Sequence, residues 1–280
     1  LPDGTRDPSF DIGTGLNNIC IAVRVQSDDK VVCTGVFTGY NGEPVGRVVR
    51  INTDGSIDTT FNNLTGLPGG SGAGFNGGAL RNEIDADGSI LVNSAGYGSF
   101  NGTLVLAAEN PPAGPETLKT MVRLKPNGQL QSIVAQNVLV DNSQFFELVA
   151  PTQNGFAIQP DGKIICVGSF TKYNLVIANR LVRIDEFGAV DPVFEANTGG
   201  GDPLGGFDGQ STTAAVLPNG QILIGCVAGV NYQGNPALGL IRLNADGTLD
   251  ATFNIGTGFN GSVIDVTITT LGDIIVGGVF

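Results

Sequence analysis

The 280-residue chain contains no histidine and no tryptophan, one methionine and four cysteines. Without histidine there is no Ser-His-Asp or Cys-His catalysis, no imidazole metal ligand and no imidazole proton shuttle. Basic residues are scarce as well, 14 Lys and Arg against 26 Asp and Glu, for a net charge of −12. Nucleic-acid binding needs a basic footprint, so no nucleic-acid partner is expected. An acidic surface of this kind suits a soluble, self-repelling protein. No run of about 18 apolar residues occurs, so membrane insertion is not expected either. There is no basic-then-apolar leader, and the chain is expected to be a window of a longer polypeptide.

What is abundant is glycine, 43 residues, alongside 14 prolines and a hydrophobic share of 41%. That composition is too apolar for disorder and too rich in turn formers for a helical bundle. The stretch Asn244-Ala-Asp-Gly-Thr-Leu-Asp-Ala-Thr-Phe253 recurs in worn form four more times, most closely as Asn52 to Phe61. Its turn glycine falls at Gly4, Gly55, Gly128, Gly188 and Gly247. A second landmark, a turn followed by an apolar run, begins at Asp28, Asp87, Asp161, Asn219 and Leu271. Together the two landmarks define a basic unit of 51 residues, with units at about 1–51, 52–124, 125–184, 185–243 and an incomplete 244–280. The extra length gathers at fixed points, as expected of loops on a shared frame. Three insertions share one repeat position: Asn62 to Gly74, Ala135 to Leu148 and Glu195 to Gly206. A further one lies between Asn101 and about Leu118.

Helical periodicity is nearly absent. Segments such as Ile19 to Val25, Val31 to Phe37 and Val45 to Ile51 are short, rich in Val and Ile, and bounded by Gly, Asn and Asp. They read as strands. The Asp-Gly and Asn-Gly pairs between them predict type I′ hairpin turns, with positive φ at both central residues. Each unit then holds two hairpins, four strands in all. Runs such as Ile222 to Cys226 are apolar without alternation, so both faces of the strand should be covered. Phe75, Phe207 and Phe259 share one repeat position and are expected in the core. The fold class is all-β, a β-propeller of four-stranded blades forming a single domain over 1–280, with a β-sandwich as runner-up.

The string Gln159-Pro-Asp-Gly-Lys-Ile-Ile-Cys-Val-Gly-Ser-Phe170, followed by Asn179-Arg-Leu-Val-Arg-Ile184, resembles the delta-60 repeat family of β-propellers. Arg47 to Phe61 does too. Gln131, Val134 and Ala228 depart from the pattern. The resemblance implies a propeller of bacterial surface or secreted proteins and of phage tail or virion proteins. It implies no activity and no fixed catalytic residues.

The repeated Asn-x-Asp-Gly-x-x-Asp must be weighed as a calcium loop. Asn52, Asp54 and Asp58, or Asn244, Asp246 and Asp250, offer hard oxygen ligands. The spacing does not match an EF-hand, and the structural alternative is stronger: the first Asp shapes the turn and the second faces the strand arginine. Arg50 with Asp58, Arg183 with Asp191 and Arg242 with Asp250 are the expected pairs. No cofactor is expected, with calcium as the alternative. Cys20, Cys33, Cys166 and Cys226 have no zinc spacing and read as small buried hydrophobes, compatible with assembly in a reducing compartment. The glycine strings Gly69 to Gly74 and Gly199 to Gly201 lack the ending of a phosphate loop. Of the carboxylates, Asp85 with Asp87 and Glu109 with Glu116 are the nearest to a glycosidase pair, and nothing in their spacing selects one.

The functional expectation is a non-enzymatic interaction module on a virion tail or bacterial surface, binding a glycan or protein receptor through rim loops. The candidate contact residues are Thr65, Asp141, Asn142, Gln144, Phe145, Phe146, Asn197 and Asp202. An architectural subunit packing on sister subunits is the alternative, and a polysaccharide-acting enzyme comes third.

Overall fold

The computed structural model describes residues 5–61, 74–95, 99–101, 103–104, 117–140, 155–173, 176–199, 201–202, 204–269 and 271–280. One turn organises them. Asn52 N–H donates to the Ser56 carbonyl, Gly55 N–H donates back to the Asn52 carbonyl, and Gly55 has φ +89°. The same two bonds recur from Gln26, Asp85, Lys125, Gln159, Asp185, Leu217, Asn244 and Thr269. In all but the first of these eight the left-handed residue is again glycine; after Gln26 it is Asp29, at φ +62°. The expected type I′ turn is therefore corrected. Asp54, Asp161 and Asp246 do not have positive φ, so the loop is a type I turn closed by a left-handed glycine bulge. The acidic residue serves differently. The Asp54 carboxylate accepts the Ser56 N–H at 2.9 Å, and Asp246 accepts that of Thr248 at 3.0 Å. Such a carboxylate pins the chain two residues on.

These turns join antiparallel strands. The first blade has β1 (Cys20–Val25), β2 (Val31–Gly35), a short hairpin β3 (Gly39–Tyr40) and β4 (Glu43–Pro44), then β5 (Val48–Ile51). The second has β6 (Gly78–Ile84), β7 (Ile90–Ala95), the hairpin β8 (Ser99–Phe100) and β9 (Thr103–Leu104), β10 (Thr117–Leu124) and β11 (Leu130–Val140). The third has β12 (Phe156–Ile158), β13 (Ile164–Val167), the hairpin β14 (Lys172–Tyr173) and β15 (Val176–Ile177), and β16 (Leu181–Ile184). A helix α1 (Pro192–Thr198) follows. The fourth has β17 (Ser211–Val216), β18 (Ile222–Cys226), the hairpin β19 (Asn231–Tyr232) and β20 (Asn235–Pro236), and β21 (Leu240–Leu243). β22 (Ser262–Ile268) and β23 (Ile274–Val279) form the fifth sheet. The sheet orders are β1-β2-β5, β6-β7-β10-β11, β12-β13-β16, β17-β18-β21 and β22-β23.

Among the described residues, four strands per unit are met in full only in the second blade. Elsewhere the fourth strand shrinks to one antiparallel bridge: Ile51 to Ile57, Ile184 to Val190 and Leu243 to Leu249. The chain must then turn at once, because the next Asp caps it. The short hairpins were not anticipated, although Asn41-Gly42 has positive φ at both residues, the type I′ signature.

Alternate residues of the central strands β2 and β18 feed two different cores. Val32 and Val48 join Phe75, Ile90, Val92 and Val122, whereas Cys33 and Val49 join Phe37, Tyr40 and Val45. Leu223 packs with Val263 and Val266, while Ile222 and Ile224 join Ile165, Phe194, Phe207 and Tyr232. Burial on both faces explains the missing alternation, and each buried aliphatic contributes about 1.5–3 kcal/mol. Phe75 and Phe207 are buried as expected, and Phe259 is partly so. Cys33, Cys166 and Cys226 are buried free thiols, with Cys20 half-buried. Gly35 lies where a Cβ would meet the Ile19 carbonyl oxygen at 2.2 Å, so no side chain fits.

The described chain divides into two compact units. One is Leu1–Ala107 with Thr120–Val134; the other is Ala108–Lys119 with Ala135–Phe280.

Candidate functional site

The repeat motif builds a clasp before it builds any binding surface. Arg50 Nε donates to Asp58 Oδ2 at 2.8 Å, and its guanidinium lies 4.9 Å from the Phe61 ring centroid. Arg183 with Asp191 (3.1 Å) and Phe194 (4.4 Å), and Arg242 with Asp250 (2.8 Å) and Phe253 (4.6 Å), repeat this arrangement. The residue after the first turn grips the same carboxylate: Lys30 at 2.8 Å, Lys163 at 3.0 Å and Gln221 at 2.8 Å. Asp58 Oδ1 is taken by Thr60, through both its N–H and its hydroxyl. Burial opposes ionisation of Asp191 but is outweighed by Lys163, the Phe194 N–H and Arg183, so its carboxyl is held down to about 2. Thr252, through its hydroxyl and its N–H, and Arg242 likewise hold Asp250 down to about 2.

Two of the proposed calcium ligands, Asp54 and Asp58, are thereby engaged by protein donors. Among the described residues no group of three or more His, Cys, Asp or Glu is placed to hold a metal ion. Asp85 pairs with Arg123, and Asp87 accepts the Ser89 N–H at 2.8 Å, so both serve the frame. Glu109 and Glu116 lie outside the described residues.

The insertion from Glu195 to Gly206, expected as a loop, begins inside α1. Asp191 is the N-cap, accepting the N–H groups of Val193 (3.0 Å) and Phe194 (3.2 Å); Pro192 opens the helix; Gly199, at φ +79°, closes it. An N-cap Asp, Pro at the first position and a left-handed Gly after the end form a legible helix signature. In the first and fourth blades the same Asp caps a single turn. Here it caps a helix that buries Phe194.

Beyond α1 the chain makes a loop with a closed neck. Gly206 N–H donates to the Thr198 carbonyl at 2.8 Å, and a Cβ on Gly205 would meet the Gly199 oxygen at 2.1 Å. Asn179 Nδ2 donates to the Asp202 carbonyl at 2.7 Å, bracing the loop from β16's side. Gly201 N–H donates to the Ile177 carbonyl of β15 at 3.1 Å. At the tip Leu204 is 86% exposed.

Of the eight candidate contact residues, Thr65, Asp141, Asn142, Gln144, Phe145 and Phe146 lie outside the described residues. Asn197 is on α1, where its amide donates to the Asp246 carbonyl at 2.8 Å, so it ties the helix to a neighbouring turn. Asp202 is exposed, and its carboxylate caps the Leu204 N–H at 2.9 Å. The structure brings Asp202 to the loop and commits Asn197 to the frame. Leu204 was missed, since one aliphatic among glycines carries no pattern. Glu195 was missed too. It is buried on α1, and burial, opposed by the Arg183 N–H and aided by nearby Asp191, pushes the carboxyl up to about 8.

A β-propeller domain of unknown function, DUF5122, matches residues 26–61, 159–194 and 217–253. Each match spans a first turn, an arginine strand and its clasp. A search of curated proteins gives no match. Among solved structures, a protein of unknown function from Bacteroides caccae is similar, with 14% identity, TM-score 0.47, and coverage of 92% of this chain and 69% of that one. A gluconolactonase from Xanthomonas campestris is similar with 16% identity, TM-score 0.44, and coverage of 91% and 68%. A catalytically inactive virginiamycin B lyase from Staphylococcus aureus, with quinupristin, is similar with 16% identity, TM-score 0.39, and coverage of 93% and 70%. The expectation that the chain is not an enzyme is corrected on this finding. Enzymes are among the similar structures, a fold does not by itself decide activity, and missing histidine removes only the routes that need it. The chain is an all-β protein built of β-propeller blades, and three of its repeats match a propeller domain of unknown function.

Proposed function

We propose that the chain is an interaction module that binds a glycan or protein partner through the insertions at 62–74, 135–148 and 195–206. The observation that carries this reading is the 199–206 loop: a closed glycine neck, three hydrogen-bond braces and an aliphatic side chain 86% exposed at the tip. An aliphatic anchor on a preorganised loop loses little entropy when a partner covers it. The resemblance to the delta-60 repeat family makes a virion tail or a bacterial surface the setting we favour. Among the described residues no helix is long and apolar enough to cross a membrane. A second reading, packing on sister subunits, is favoured by the apolar character of Leu204.

The test uses the whole chain, fluorescently labelled, on a glycan array and on intact bacterial cells. Binding that Leu204→Asp removes, with the melting temperature unchanged, is the expected result. Binding indifferent to Leu204→Asp and to excision of 201–204 would sink the reading. A concentration-dependent oligomer dispersed by Leu204→Asp would favour the architectural role.

A further inference from the structure

The first blade carries two thiols on one face of its sheet. β1 and β2 pair antiparallel, with Cys20 opposite Gly35 and Val23 opposite Cys33. Cys33 and Gly35 are two residues apart on β2, so Cys20 and Cys33 stand diagonally across the strand pair on the same side. A bulge between Cys20 and Ala22 breaks the register there, the kind of irregularity that re-aims a side chain. Gly35 keeps the space beside Cys20 open, because a Cβ there would lie 3.1 Å from Cys20 Cα. Cys33 is buried with Phe37, Tyr40 and Val49, and Cys20 packs against that cluster. The Cys20 sulfur lies 3.7 Å from the carbonyl oxygen of Thr34, the residue after Cys33, and within hydrogen-bond reach of the Cys33 thiol.

No other unit repeats this pairing. The position of Cys20 holds Ala79, Gln153, Ser211 and Val263 elsewhere, and that of Cys33 holds Val92, Cys166, Ile224 and Val276. Packing alone therefore needs neither thiol, since Ala79 and Val92 fill both positions in the second blade. The hydrogen bond also makes the two sulfurs unlike. It lowers the Cys20 thiol from its ordinary value, against burial, and it raises that of Cys33, with burial adding to the rise. A lowered thiol is the attacking one of such a pair, and a raised one resolves.

We propose that Cys20 and Cys33 are a redox-active pair that closes to a disulfide by exchange with a low-molecular-weight disulfide. The Cys20 thiolate attacks one sulfur of that molecule, forming a mixed disulfide and releasing one thiolate, which takes up the proton Cys20 gave. Cys33 then loses its proton and attacks the Cys20 sulfur, which closes the Cys20–Cys33 bond and releases the second thiol. Two protein thiols are oxidised, and one small disulfide is reduced to two thiols. The closed pair ties β1 to β2 beside the bulge. This site does not rest on the loop surface proposed above.

The probe is glutathione disulfide, incubated with the reduced, folded whole chain, quenched with acid and read by intact mass and by tryptic mapping. The expected product is a chain two hydrogens lighter, in which the tryptic peptides 7–24 and 31–47 are joined. Excess dithiothreitol should reverse it, and alkylation after unfolding should find Cys166 and Cys226 still free. Two variants test the order of steps, each with the side chain that the second blade carries. Cys33→Val should stop at glutathione held on Cys20, and Cys20→Ala should leave Cys33 unmodified; circular dichroism confirms that both are folded. Glutathione that stays on Cys20 of the unaltered chain, a disulfide that enlists Cys166 or Cys226 instead, or no change in mass overturns the proposal.

Discussion

The guanidinium of Arg50 donates to the carbonyl oxygen of Pro126 at 2.7 Å, across 76 residues of sequence and from one blade to the turn of the next. Arg183 makes the matching bond to Ala245. Each arginine is also steadied by a glutamine on its own first hairpin, Gln26 or Gln159, at 3.1 Å. The repeat arginine therefore closes its own hairpin and fastens its blade to the following one.

Removing that group should cost more where both tasks exist. Arg183→Met leaves Asp191 without its arginine, frees the Phe194 face and breaks the bond to Ala245; a loss of about 3–5 kcal/mol is expected. Lys163→Met, which takes a more exposed partner from the same carboxylate, should cost at most about 1 kcal/mol. Urea unfolding of the two variants decides it, and equal losses would contradict the fastening role.

Asp29 occupies the left-handed position that glycine fills in the other eight turns. Asp29→Gly should stabilise the chain by about 0.5–1 kcal/mol, read from the urea midpoint at unchanged slope. Gly55→Ala should do the reverse, because its Cβ would meet the Asp11 carbonyl oxygen at 2.2 Å.

Two groups of carboxyls predict opposite ends of a pH–stability profile. Asp191 and Asp250 are held below the ordinary carboxylate range. Their contribution is present above the unfolded value and is lost as pH falls through the folded one. Stability should drop between about pH 4 and 2. Asp191→Asn should flatten that limb in acid titrations followed by circular dichroism.

Glu195 acts in the other direction. Its folded carboxyl titrates at about 8, above the unfolded value, so the native state holds the extra proton. The stability it lends is present below the unfolded value and fades as pH rises through 8. Glu195→Gln should melt near the wild-type temperature at pH 5 and about 5 °C higher at pH 9. Parallel melting curves at both pH values would show that Glu195 is not buried as described.

How much of this was legible follows from range. Arg50 and Asp58 are eight residues apart across one turn, so hairpin register alone paired them. The dual-faced strands were readable from Ile222 to Cys226, where every residue is apolar or glycine. The acceptors of Pro126 and Ala245 were not readable, because a backbone carbonyl has no side-chain identity. The hairpin at Asn41-Gly42 left a signal that went unused, its strands being two residues long. α1 was missed because an insertion was read as loop throughout, though Asp191, Pro192 and Gly199 spell a capped helix. The candidate site fared least well, since binding loops vary where the repeat does not, and there the internal comparison that served the frame has nothing to compare.

The arginine-to-carbonyl bond also gives the array a direction. Arg50 reaches forward to Pro126, and Arg183 reaches forward to Ala245. Excising a unit therefore orphans an arginine in the unit before it, while the unit after keeps its clasp intact. Damage travels towards the N-terminus, against the order of synthesis, and a newly made blade is left waiting until the turn of its successor emerges.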